Sequence, residues 1–164
     1  MKQVKSGVML FIILFALWLI LAGTDGDELI FGSITAVVLA LLFAPKVSTL
    51  GCIQLKPKSL LYSILYLFIF LRELVKSTID VTRRVLSPKL PINPGIVKVK
   101  TKLTCSLGRI VLANSITLTP GTMTVETRGE YFYIHWIDIQ TDDIQATTEA
   151  IVSTFEKYLE VIFE

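Results

Sequence analysis

One histidine and two cysteines in 164 residues remove several chemistries at once. Cys52 and Cys105 stand far apart, with no CxxC pair and no histidine beside either, a pattern that supports neither a metal site nor a disulfide framework. His135 shares a strand-like stretch with Asp138. Residues three apart on a strand point to opposite faces, which disfavours a His–Asp dyad. There is no Gly-rich phosphate cradle, no HExxH and no acidic metal loop. Ser106 and Cys105 lack any neighbour in sequence that would activate them as nucleophiles. The expectation is a chain that is not an enzyme and uses no cofactor.

Charge is also absent over long stretches. None occurs from Ser6 to Thr24, and Val8 to Ala22 is continuously apolar. About twenty such residues suffice for a helix to cross a hydrocarbon core, with Trp18 placed as an interfacial anchor. Lys2 and Lys5 ahead of this run, and Ala22-Gly23-Thr24 after it, also fit a cleavable signal peptide. A second apolar run, Leu29 to Ala44, follows immediately and favours a retained helical hairpin. The hairpin turn Thr24-Asp25-Gly26-Asp27-Glu28 is acidic and reads as a solvated loop with N-cap character. The runs Met9–Ala22 and Leu29–Ala44 hold none of the ionisable residues that mark proton or cation paths through lipid.

What is present is apolar surface and uneven charge. The apolar fraction is 52% and mean hydropathy +0.65, both high for a wholly soluble chain. The overall charge of +2 averages −1 over residues 1–45, +9 over 46–102 and −6 over 103–164. Basic residues flanking apolar segments match the positive-inside rule and attraction to anionic lipid. No recognition module accompanies them, so nucleic acid is not an expected partner.

Leu60 to Leu71 is apolar on every side, and Arg72, Lys76, Asp80, Arg83 and Arg84 then recur at steps of three to four. Twelve apolar residues reach about 18 Å, short of the roughly 30 Å of a bilayer core. The favoured reading is an amphipathic or partly inserted third helix that keeps the middle cations on one side, with a full crossing as the alternative. Arg72, Lys76, Arg83 and Arg84 are then candidates for a membrane surface or an interface with another protein.

Three prolines and a glycine between Ser87 and Gly95 end that helix and mark a linker. Beyond it, Val97–Leu103 alternates as a half-buried strand. Ser106–Leu118 has helical spacing through Leu107, Ile110, Val111 and Ala113/Asn114. Met123–Thr127 and Tyr131–Ile139 read as a hairpin across Arg128-Gly129-Glu130, the second strand central. Asp142 with Gln145 forms a capping-box start for one closing helix carrying Ile144, Ile151, Phe155, Tyr158, Leu159 and Ile162. The fold class is therefore a membrane protein: a helical hairpin, a third helix, and a small α+β soluble domain of order β-α-β-β-α. Its divisions are a membrane region at 1–86 (helices about 6–24, 29–45 and 59–86), a linker at 87–95 and a cytoplasmic domain at 96–164.

Asn114-Ser115-Ile116-Thr117-Leu118-Thr119-Pro120-Gly121-Thr122, followed by a hairpin and Ile134-His135-Trp136-Ile137-Asp138, resembles the E subunit of the Mrp/Mnh-type multisubunit sodium/proton antiporters. The similarity extends to the paired apolar segments, the basic third helix and the acidic C-terminal helix. The resemblance implies an accessory or assembly subunit of a monovalent cation (sodium)/proton antiporter that supports pH homeostasis. It implies a multi-pass protein of the bacterial plasma membrane, and the positive-inside charge predicts a cytoplasmic C-terminal domain. Partner subunits would handle the transported sodium and protons, and membrane lipid would be a further partner. The alternative is a membrane-anchored adaptor whose domain binds a cytoplasmic protein. Pro120 and Gly121 suit a tight turn between helix and strand, with Thr122 closing the motif. Asn114 and Thr117 are placed to hydrogen-bond that turn or a partner subunit.

Overall fold

The structure, a computed structural model, describes residues 2–47, 51–54, 56–141 and 143–164. The chain forms two compact units, Met1–Ile53 and Gln54–Glu164. The first unit holds helices α1 (Lys2–Ala22) and α2 (Gly26–Phe43). Gly23, at φ +99°, supplies the left-handed residue that the connection needs. Asp25 is the N-cap of α2, and Asp27 and Glu28 lie in its first turn, where negative charge meets the positive end of the helix dipole. The acids therefore begin the second helix rather than precede it, and its 18 residues reach about 27 Å.

The two helices run antiparallel. A Cβ added at Gly32 would lie 2.4 Å from Trp18 Cδ1, and one at Gly7 would lie 3.4 Å from Ala44 Cβ. Gly32, Ala36 and Ala40, four residues apart, are the buried positions of α2; small side chains let backbones approach where no hydrophobic force joins them. The remaining faces are apolar and exposed, as at Ile20, Leu21 and Leu41. Both helices are long and apolar enough to cross a membrane.

In the second unit α3 (Pro57–Leu86) is followed by β1 (Gly95–Lys100), α4 (Ser106–Leu118), β2 (Thr122–Arg128), β3 (Tyr131–Trp136), α5 (Ile144–Ile151) and α6 (Ser153–Phe163). The sheet order is β1-β3-β2, antiparallel throughout, with a register shift between Thr124 and Glu126. β3 is central, as its two-sided apolarity predicts. Val97, Val99, Phe132 and Ile134 face a core completed by Leu112, Ile116, Val152, Phe155 and Leu159. Glu156 is buried there too, accepting from Thr101 Oγ1 at 2.5 Å and Lys102 N at 2.7 Å. This bond draws the chain out of the ladder, so β1 ends at Lys100 and not at Leu103.

Further expectations change. The linker at 87–95 is tied to the strand end: Asn93 N donates to Ile137 O, and Ile139 N donates to Asn93 O. The strand from Tyr131 ends at Trp136, its continuation pairing instead with this strap. The closing helix is two helices that meet at Val152. Asp142, the expected cap, lies outside the described residues; Asp143 is the cap observed, accepting from Ala146 N at 2.8 Å. On α4 the buried positions are Gly108, Leu112, Ser115 and Ile116, whereas Ile110 is exposed. Neither cysteine is a free thiol, which corrects the expectation, drawn from their isolation in sequence, that no disulfide forms.

The compact units part at Ile53/Gln54 rather than at residues 87–95 because α3 packs along the C-terminal domain. Ser59 Oγ donates to Val161 O at 3.0 Å. Tyr62 lies 6.1 Å from Tyr158, and Tyr66 6.3 Å from Phe155, between ring centroids. The Tyr66 and Ser115 hydroxyls are hydrogen-bonded.

Candidate functional site

The residues that carry the family resemblance form one turn between α4 and β2. Pro120 and Gly121 occupy its central positions, Gly121 has φ +93°, and Thr122 N donates to Thr119 O at 3.2 Å. Proline then glycine with this bond is a type II turn. Thr119 Oγ1 donates to Ser115 O at 2.7 Å, and Thr122 Oγ1 to Ile116 O at 2.6 Å. These hydroxyls satisfy the last carbonyls of α4, which have no partner within the helix. Thr117 Oγ1 donates to Ala113 O and accepts from Thr124 N at 3.1 Å. Of the two polar residues expected to serve the turn, Thr117 joins it to β2. Asn114 is exposed, and its side chain makes no hydrogen bond to any other described residue.

The turn borders a cleft of about 730 Å³ between the second half of α3, Trp136–Asp138 and the α5–α6 junction. A Cβ at Gly121 would meet Ile137 Cγ2 at 3.0 Å and Val81 Cγ2 at 3.4 Å, so glycine lets the turn approach both strand and helix. Arg84 crosses one end. Its Nε donates to Asp80 Oδ2 at 2.7 Å, and its Nη1 to Asp138 Oδ2 and Pro91 O at 2.8 Å each. The bond to Asp80, followed by that to Asp138, outweighs desolvation and raises its pKa, keeping the guanidinium charged. Asp138, left without a role by sequence spacing, is thus the anchor of α3. Its partner lies 54 residues away, which no local pattern announces.

The four cations singled out on α3 do not act together. Arg84 is committed to contacts within its unit. Arg72 and Lys76 lie 3.7 and 3.6 Å from Glu73, and both are exposed, as is Arg83, which has no ion-pair partner among the described residues. His135 sits in the central strand with Nδ1 buried and unbonded among the described residues, opposite Ile96 and Met123. No group of His, Cys, Asp and Glu among the described residues is arranged to hold a metal ion. The cleft can accept ion pairs and apolar side chains.

Two apolar helices long enough to cross a membrane, followed by a small sheet-and-helix unit, define the class: a chain of membrane-protein type. The model of the family described as Na+/H+ ion antiporter subunit matches residues 11–162, and the chain belongs to that family. It is 42% identical over 91 residues to the E subunit of the Na(+)/H(+) antiporter of Alkalihalophilus pseudofirmus, covering 54% of this chain and 56% of the relative. To the same-named protein of Bacillus subtilis it is 39% identical over 97 residues, covering 58% and 60%. The chain thus spans less than two thirds of the length of these curated relatives. A chain in the solved structure of the membrane-bound sulfane sulfur reductase, an archaeal respiratory membrane complex, aligns over 97% of this chain and 99% of its own length. Its TM-score is 0.84 and its identity 44%.

Proposed function

We propose that this chain is an accessory subunit of a multisubunit membrane complex of the sodium/proton antiporter type, and that partner subunits carry the ion path. The observation that carries this reading is the pairing of family membership with two apolar helices that lack ionisable residues over 9–22 and 29–44. A path for protons or sodium through lipid needs such residues, so here the helices serve as anchor and contact. The basic residues on both sides of the hairpin support its two ends and the C-terminal domain lying in the cytoplasm of a bacterial cell, with the acidic turn outside. The turn at Thr119–Thr122 then faces partner subunits.

Purification in mild detergent tests the reading. The chain should bring down large multi-span subunits, and its deletion should abolish sodium/proton exchange by membrane vesicles. A solitary monomer with exchange unaffected would overturn it, and capture of a cytoplasmic protein alone would support the adaptor alternative. A reporter fused after Glu164 should be active in the cytoplasm.

A second reading has its own support. The near-complete match in length and fold is to a chain of a respiratory membrane complex, so the host complex here can be a redox enzyme rather than a free-standing antiporter. Reduction of sulfane sulfur by the purified complex would favour it; cation exchange without any such activity would favour the first.

A further inference from the structure

The longest helix of the second unit has an uncovered face, and three observations together say what covers it. At 100° per residue, α3 divides into three strips. Ser59, Tyr62, Tyr66 and Arg84 fall on one side, and all four bond or stack with the C-terminal domain. On the far side Leu60, Ile64, Phe68, Leu71, Val75 and Ile79 form an exposed apolar strip. Between these strips Lys58, Arg72, Lys76 and Arg83 lie within about 40° of one another, all of them exposed.

We propose that α3 is seated lengthwise on the bilayer surface, its apolar strip in the acyl boundary and its cation strip on anionic lipid headgroups. The inference rests on the proposed function only in taking the preceding two helices as membrane-embedded. Domain contacts run from Ser59 to Arg84, about 37 Å along the axis at 1.5 Å per residue. A helix that crossed the bilayer would drag this charged domain into lipid along its whole length. An in-plane helix instead keeps the domain on the water side, because the strip it packs on is nearly opposite the apolar strip. The charge fits as well: basic residues flanking an apolar face are the pattern of helices that bind anionic interfaces. Pro57 follows Phe43, the end of α2, by 14 residues, so the chain can carry it at most about 50 Å from a bilayer that α2 crosses. Thr78 and Thr82 interrupt the apolar strip, but their hydroxyls donate to Leu74 O and Thr78 O of the same helix, at 2.7 Å each.

The test places the photo-crosslinker benzoylphenylalanine at 64, 68 or 75 of the full chain in its native membrane. The expected products are lipid adducts at all three positions in similar yield. Yield at 68 should fall roughly fivefold or more in the R72E/K76E/R83E variant, since each cation near an anionic surface contributes about a fivefold preference. Adducts to another protein would assign the face to a protein partner and overturn the proposal. So would the absence of any adduct, or lipid adducts at 64 and 68 with none at 75, the signature of a crossing helix. Carbonate extraction separates the two levels of failure. If the wild-type chain leaves the membrane on extraction, the membrane reading itself is wrong; if it stays without lipid adducts at α3, only the seating is.

Discussion

Replacing Gly121 by alanine tests whether the residues that identify the family are structural. Its φ of +93° lies beyond the small left-handed region open to other residues, and the left-handed conformation alone costs a non-glycine residue about 1–2 kcal/mol. The new Cβ would also stand 3.0 Å from Ile137 Cγ2 and 3.4 Å from Val81 Cγ2. Moving Ile137 off its rotamer costs about 0.5–1.5 kcal/mol more. The expected loss is therefore about 2–3 kcal/mol. Gly129 is the internal control: at φ +54° it sits in the left-handed basin with nothing within 4 Å of an added Cβ, so G129A should lose only about 1 kcal/mol. Near-UV circular dichroism of the full chain in mild detergent follows the melting of the domain. At about 4 °C per kcal/mol for a unit of roughly a hundred residues, G121A should melt about 10 °C below wild type and G129A about 4 °C below. Equal losses in the two variants would refute the packing argument and leave the turn with backbone strain alone.

Glu156→Ala strands the Thr101 hydroxyl and the Lys102 N–H without their acceptor, so the same melt should report a loss of about 2–3 kcal/mol, with Glu156→Gln keeping part of it. Arg84→Ala leaves Asp138 and Pro91 O without their donor and should loosen the end of α3, read as faster proteolysis after Leu86 with the core melt little changed. The carboxyl of Glu164 is pushed up by burial, but bonds from Cys105 N, Thr104 Oγ1 and Thr104 N outweigh this and leave its pKa lowered from 4.5. A carboxyl lowered in the folded state stabilises above its unfolded pKa and loses that contribution as pH falls through the folded value. Wild type should therefore lose more stability than E164Q below about pH 4.5, and the two should run parallel above it.

Legibility in the sequence followed how local the cause was. The hairpin of α1 and α2 could be read because continuous apolarity needs no partner to interpret it, and the β2–β3 hairpin because alternation and a glycine turn are local. The phase of α4 could not be read. Apolar residues surround that short helix, and the choice of face is made by Phe163, whose ring would stand 3.1–3.2 Å from a Cβ at Gly108. The break at Val152 carries neither proline nor glycine, and the end of β1 is set by Glu156, more than fifty residues on.

The same rule explains why α3 was half legible. Its charge periodicity showed two sides, apolar and basic, and on that pattern Arg83 and Arg84 belong to one stripe. They are adjacent residues, however, and 100° apart on a helix. Asp138 settles Arg84 on the domain side, while Arg83 stays with Lys58, Arg72 and Lys76. A helix with two sides can cross a membrane, lie on it or pack in a core. A helix with three strips, one of them bonded to its own domain from Ser59 to Arg84, has only its apolar side left to present to the bilayer. The third strip is built from Tyr158, Phe155, Ser115 and Asp138, residues that come 49 or more positions later than their partners on α3, so it exists only once the chain has folded.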